Sequence, residues 1–197
     1  MVRSRSQRAV LGAIIGLLVG AAPAAAATRT SARIYEPFTA SGAPSVHVAQ
    51  THRGSCFSGS AASGRKDTWR CISRNLIYDP CFSSGKVPFV LCPSGPGSTS
   101  AIKIKLTKRL PAGFANKGKP STSGLPWALQ TVSGANCVLA TGATNVVDHR
   151  RANFFCGKRR NVLWGDPIRR TEPWMIFSAP ADAKRLTRKV AIKTAWF

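Results

Sequence analysis

Hydrophobic and polar positions alternate cleanly over residues 101–106: Ile102, Ile104 and Leu106 fall on one side, Lys103 and Lys105 on the other. A period of two marks a strand with one buried face and one wetted face, here a basic one. Residues 87–91 form a short apolar run of strand length, and the Gly-, Pro- and Ser-rich stretch 93–100 reads as a loop. The same punctuation recurs downstream. Runs at 127–131, 136–141, 151–156, 161–164, 174–178 and 189–196 are separated by Ser133-Gly134 and by turn-rich stretches at 142–150, 157–160 and 165–173. Short runs divided by such turns predict a β-meander. In its last run Val190, Ile192, Thr194 and Trp196 share one side. A helical period shows near the start, where Trp69, Ile72 and Leu76, with Asp67 in the first turn, predict a short helix over 65–76. Asp79-Pro80 predicts a turn after it, and 180–187 has room for one helical turn. The fold class expected is mainly β: a small sandwich or barrel built around the meander, with one short helix.

The amino terminus carries a different pattern. Arg3, Arg5 and Arg8 precede an apolar stretch over 9–22, followed by Pro23 and an alanine run. That order predicts an export signal over 1–27, cleaved at Ala26/Ala27 or Ala27/Thr28. Pro23, the alanine content and the lack of a stop-transfer pattern argue against a permanent anchor. No second long apolar run follows, so no integral membrane span is expected once the signal is removed. Residues 28–53 are rich in Thr, Ser, Ala and Pro with little apolar periodicity, and predict a flexible leader. Residues 54–197 then form a single domain large enough for a hydrophobic core. The pattern sets no oligomeric state.

Export places the six cysteines in an oxidising setting, where an even count reads as three disulfides. Spacing alone leaves many pairings open. In a meander of alternating strand direction, Cys137 begins one strand and Cys156 ends the next, so both lie at the same end. Pairing them puts Val138 opposite Phe155 and Leu139 opposite Phe154, a register apolar on both faces, as in a covered sheet. Cys81 and Cys92 flank a hairpin around Ser83-Ser84-Gly85, and Cys56 and Cys71 join the first loop to the predicted helix. The expected bonds are Cys56–Cys71, Cys81–Cys92 and Cys137–Cys156. No thiol is left over and no CxxC spacing occurs, so no catalytic or metal-binding cysteine is expected.

Charge changes the picture most. Of 29 Lys and Arg residues, removal of Arg3, Arg5 and Arg8 leaves 26 against 7 acidic ones, a net +19. A field of that size favours anionic partners. Lys103, Lys105, Lys108 and Arg109 extend one strand face. Lys158, Arg159 and Arg160 occupy a turn, and Lys184, Arg185, Arg188 and Lys189 lead into the last strand. Arg169 and Arg170 add two cations in a loop. Spread in this way they read as a polyanion footprint rather than a pocket. The five tryptophans, Trp69, Trp127, Trp164, Trp174 and Trp196, sit in or beside apolar runs and are assigned to the core.

Catalytic chemistry has one candidate location. The meander brings the loops 142–150 and 165–173 to one end, with Asp148, His149, Arg150, Arg151, Asp166, Arg169, Arg170 and Glu172. A phosphodiesterase would use His149 or Glu172 as general base and arginines, Arg150 among them, against the phosphate charge. The plainer reading pairs these acids with neighbouring arginines in exposed loops. His47 and His52 fall in the leader and are too few for a metal site. No GxSxG, HExxH, P-loop or EF-hand pattern occurs, and no cofactor is expected.

The segments Gly54-Ser55-Cys56, Trp69-Arg70-Cys71, Asp79-Pro80-Cys81-Phe82, Cys92-Pro93, Pro126-Trp127, Gly142-Ala143-Thr144, Asn153-Phe154-Phe155-Cys156 and Leu163-Trp164-Gly165 resemble a family of exported proteins from actinomycetes and other bacteria. The resemblance spans nearly the whole predicted domain. It implies one domain with paired cysteines and carries no activity. The leading expectation is a secreted or cell-wall-associated binding domain, non-enzymatic, for an anionic partner: wall polymer, glycan or nucleic acid. The alternatives are a small extracellular hydrolase acting on phosphate esters or nucleic acid, and a secreted protein-binding effector or inhibitor.

Overall fold

A computed structural model describes residues 29–111, 113, 115–157 and 161–197. The predicted export signal over 1–27 and the basic residues Lys158, Arg159 and Arg160 lie outside the described residues.

The chain is mainly β, and the described strands close two rings. The first ring holds β2 (His47–Gly59), β3 (Thr68–Ser73), β4 (Leu76–Phe82), β5 (Phe89–Pro93) and β6 (Ser100–Leu106). Each neighbour runs antiparallel to the last. Five strands is an odd number, so the closing pair, β2 with β6, has to run parallel, and it does. The second ring is the predicted meander: β7 (Ala128–Thr131), β8 (Asn136–Leu139), β10 (Arg150–Cys156), β11 (Asn161–Ile168), β12 (Met175–Pro180) and β13 (Lys189–Trp196). Six strands is an even number, and β13 closes antiparallel onto β7. Closure removes the exposed edges that an open meander leaves. The two-residue β9 (Val146–Val147) pairs with β10, and β1 (Ser31–Arg33) lies parallel to the end of β13.

Alternation along the strands builds each interior. Trp69, Cys71, Cys81, Val90, Cys92 and Ile104 fill the first ring, so two disulfides form part of its core. Gly54 lies in β2, where a Cβ would stand 2.3 Å from the Ile72 carbonyl; only glycine lets the strands approach this closely. Leu129, Cys137, Phe154, Cys156, Leu163, Ile176 and Ile192 fill the second ring. A register shift between Ile192 and Thr194 then reverses the facing of β13: Ala195 and Phe197 join this core and Trp196 is sent elsewhere. The even spacing of Val190, Ile192, Thr194 and Trp196 therefore does not hold to the end of the strand.

All three expected disulfides are present: Cys56–Cys71, Cys81–Cys92 and Cys137–Cys156. Phe154 faces Leu139 and Phe155 faces Val138, the predicted register. The outer side of that pair is not covered, since Val138 and Phe155 stay about half exposed.

Trp196 goes to a third cluster, with Tyr35, Ala62, Phe82, Trp127 and Ala128, where the two rings meet. The loop at Gly97 packs directly on it: φ is +67°, and a Cβ there would lie 2.7 Å from the indole. At the same junction the buried Arg65 reaches across. Its Nε and Nη2 donate to both carboxylate oxygens of Asp67, at 2.9 and 2.6 Å, and Nη1 donates to the carbonyls of Tyr35 and Phe197.

Two expectations are corrected. Residues 65–76 do not form a helix: Thr68–Ser73 is strand β3, Asp79-Pro80 lies inside β4, and no α-helix occurs among the described residues, 180–187 included. Trp69, Cys71 and Ser73 point inward and Arg70 and Ile72 outward. The helical spacing of Trp69, Ile72 and Leu76 was coincidental, because only Trp69 is buried. Strand pairing on both sides overrides local preference here. Nor are residues 29–53 of the predicted leader loose. They supply β1, the buried Thr30 and Tyr35, and the half of β2 that closes the first ring.

Tyr35 gives a test of the junction. Burial pushes its phenol up to about 12, and its hydroxyl has no hydrogen-bond partner among the described residues. A phenol raised in the fold stabilises the fold while neutral, below the unfolded value near 10, and loses that contribution as pH rises toward 12. Tyr35→Phe should match or exceed the parent's melting temperature at neutral pH, because an unpartnered hydroxyl is removed. It should also remove part of the fall in melting temperature between these two pH values. Parallel alkaline curves for the two proteins would count against this.

Candidate functional site

The outer face of the first ring is assembled from β2, β6 and β3. Inward positions on β2 are His52, Gly54 and Cys56, which leaves Arg53, Ser55 and Phe57 outside. On β6 the predicted alternation holds: Ile104 is buried, and Lys103 and Lys105 face out. The register sets Thr51 beside Lys103 and Arg53 beside Lys105. Neighbouring strands lie about 4.8 Å apart, and like charges placed side by side at that spacing repel. Lys103 rests its ammonium 4.0 Å above the Phe89 ring, and Lys108 and Arg109 continue the basic run as exposed residues just past β6. Lys103, Lys105, Lys108 and Arg109 thus come together, with Arg53 added from the segment read as leader.

Counter-charge is scarce. Along the strands of this ring the sole carboxylate is Asp79, whose side chain is 4% exposed. It accepts from the Ser60 hydroxyl and the Ala61 amide, with Arg70 Nε at 3.8 Å, and burial nevertheless holds its carboxyl above the usual carboxylate value. Four other acids are hydrogen-bonded, while Glu36 and Asp182 are exposed. Asp67 holds Arg65, Asp148 accepts from the Leu186 amide at 2.7 Å, and Asp166 accepts from Asn153 at 2.9 Å. Glu172 accepts from the Thr30 amide and the Trp174 indole. Among the described residues the ion pairs are Arg65–Asp67 and Arg70–Asp79.

The catalytic candidates do not assemble. Asp148 and His149 form the tight β9–β10 turn, both with positive φ, and His149 is exposed. Arg150 donates to the Asp148 carbonyl and lies 4.3 Å above the Phe177 ring. Arg151 donates to the carbonyls of Ala140 and Gly142. No side-chain hydrogen bond joins His149 to Arg150 or Glu172 among the described residues. Arg169 also proves structural: it donates to the Thr122, Ser123 and Gly124 carbonyls and stacks on Trp174 and Phe197. Burial lowers its guanidinium from the ordinary value, against the pull of Asp166. Arg170 is exposed. His52 is buried inside the first ring with Nε2 3.0 Å from Gln50 Oε1, and His47 begins β2. Among the described residues no three His, Cys, Asp or Glu side chains gather as a metal site. No helix there is long and apolar enough to cross a membrane.

Sequence reasoning missed Arg53 because polar residues dominate the first half of β2. It missed Arg70 and Arg74 because the helix assignment hid their strand facing. The period-two pattern of Arg70 and Ile72 against Trp69, Cys71 and Ser73 carried that information. No protein-family model, no curated protein and no solved structure matches this chain.

Proposed function

We propose that the protein is a secreted or wall-associated, non-enzymatic module that binds anionic polymer across the outer face of β2 and β6. Wall polymer, anionic glycan and nucleic acid share the chemistry this face recognises: closely spaced negative charge on a flexible backbone. One observation carries the reading. Arg53 and Lys105 are held side by side by the register, with Lys103 next to them, while Asp79, the one carboxylate on this ring's strands, is on β4 and buried against Ser60 and Ala61. A fold that sets like charges together without a neighbouring acid keeps an unfavourable contact that a bound polyanion relieves. Three disulfides suit an extracellular setting.

The test is retention on immobilised polyphosphate, anionic glycan and single-stranded polynucleotide. The parent should be held at low salt and released as salt rises. The combined Arg53→Ser, Lys103→Ser and Lys105→Ser variant should elute earlier from whichever polymer holds the parent, with its fold intact. Equal retention of parent and variant on all three would refute the assignment of this face.

A further inference from the structure

Charge alone does not account for this surface. Next to the cations lie Phe57, Ile72, Leu76 and Ile77, which are 45%, 40%, 59% and 54% exposed. The register makes Ile72 and Ile77 neighbours on the outer face, and Leu76, paired with Ser73, projects beside them at the hairpin end. Ile72 sits beside Ser55 on β2 and faces Ile77 on β4, and Phe57 is the extra residue at the β2 register shift, with the Arg70 guanidinium 5.9 Å from its ring. Leu76 follows directly on the two-residue turn Arg74-Asn75, both at positive φ. Hairpin tips are ordinarily polar, so Leu and Ile just past the tip leave apolar surface projecting from the molecule. The rim is basic: exposed Arg53 and Arg74, and partly exposed Arg70.

A phosphate- or sugar-based polymer has little use for such side chains. An anionic bilayer uses both features, because interfacial binding grows with buried apolar area and with attraction of Lys and Arg to acidic headgroups. We infer that the β3–β4 hairpin is a membrane-docking tip: Leu76, Ile77, Ile72 and Phe57 enter the interfacial region of an anionic lipid surface while Arg53, Arg70 and Arg74 contact headgroup phosphates. This goes beyond polymer binding and shares only Arg53 with the proposed polymer-binding face; its apolar residues, Arg70 and Arg74 belong to it alone. The occupant is a lipid surface rather than a second copy because cations ring the stripe, and two such faces would repel.

The disulfide-bonded protein should co-sediment with vesicles of equimolar phosphatidylglycerol and phosphatidylcholine, and far less with phosphatidylcholine alone. Joint replacement Leu76→Ser and Ile77→Ser should lower the partition at least about tenfold while leaving polyphosphate retention unchanged. Both side chains are more than half exposed, so the fold should survive, as a melting curve will show. Leu76→Trp supplies a separate readout. Its added emission should shift to the blue with acidic vesicles and be quenched by brominated acyl chains, and neither change should occur with polyphosphate. Vesicle binding by the double variant equal to the parent overturns the inference, as does an emission indifferent to vesicles. Self-association lost in the double variant, without vesicle binding, assigns the stripe to a second copy and overturns it too. Retention on polyphosphate with no vesicle binding defeats the docking tip and leaves polymer binding standing.

Discussion

Arg65→Met should destabilise the protein by about 3 kcal/mol, at the lower end of what breaking a buried ion pair costs. Arg65 is buried, while Asp67 keeps a 29% exposed side chain, so water offsets part of the loss. Four hydrogen bonds disappear together: two to Asp67, one to the Tyr35 carbonyl and one to the Phe197 carbonyl. The last two tie the segment after β1 and the end of the second ring to the first ring. Their loss should loosen the junction around Phe82, Trp127 and Trp196. Arg65→Lys should not restore stability, because one ammonium cannot reproduce a planar fork that binds a carboxylate with two donors and two carbonyls with a third. Urea titration of the three proteins is the measurement. A midpoint for Arg65→Met equal to the parent's would show that the guanidinium is dispensable.

Reduction should have the largest effect. The three bonds close sequence separations of 15, 11 and 19 residues. Each then contributes about 3 kcal/mol in the chain-entropy description. Together they approach the whole net stability of an ordinary domain, about 5–15 kcal/mol. Full reduction should therefore unfold the protein at ordinary temperature. Replacing Cys137 and Cys156 together by alanine should cost about 3 kcal/mol and leave the protein folded. The two cases separate because full reduction opens all three bonds, two of them in the first ring's core, whereas the double replacement opens only Cys137–Cys156, which pins β8 to β10 in the second. Circular dichroism melts with and without reductant decide it. An unchanged melting temperature after complete reduction would contradict the scaffold role.

The parts of this fold that the sequence made legible are those in which one strand reports on itself or on its immediate successor. The buried Ile104 against outward Lys103 and Lys105 is such a case, and so is the Cys137–Cys156 register with Phe154 opposite Leu139. What stayed hidden depends on partners distant in the chain. Nothing near Arg53 announces Lys105, fifty-two positions later, because that pairing exists only once an odd number of strands has closed. The register shift that turns Trp196 out of the second core is likewise set by β7, not by the alternation within 189–196. Residues 65–76 carried two periods at once, and the pairing of β3 with β2 and β4 selected the shorter one. For the catalytic candidates, sequence placed Asp148, Asp166 and Glu172 in loops at one end. Only in the folded chain does each carboxylate already accept from Leu186, Asn153 or Thr30.

In the proposed function Arg53, Lys103 and Lys105 act together as an anion-binding surface. The most direct measurement is the salt dependence of binding to a single-stranded polynucleotide, for the parent and for the variant carrying serine at all three positions. If each cation releases a condensed counterion, the slope of log binding constant against log salt should flatten by about 2 in the variant. Superimposable slopes would mean that these side chains touch no phosphate, and the proposed function would fall with them.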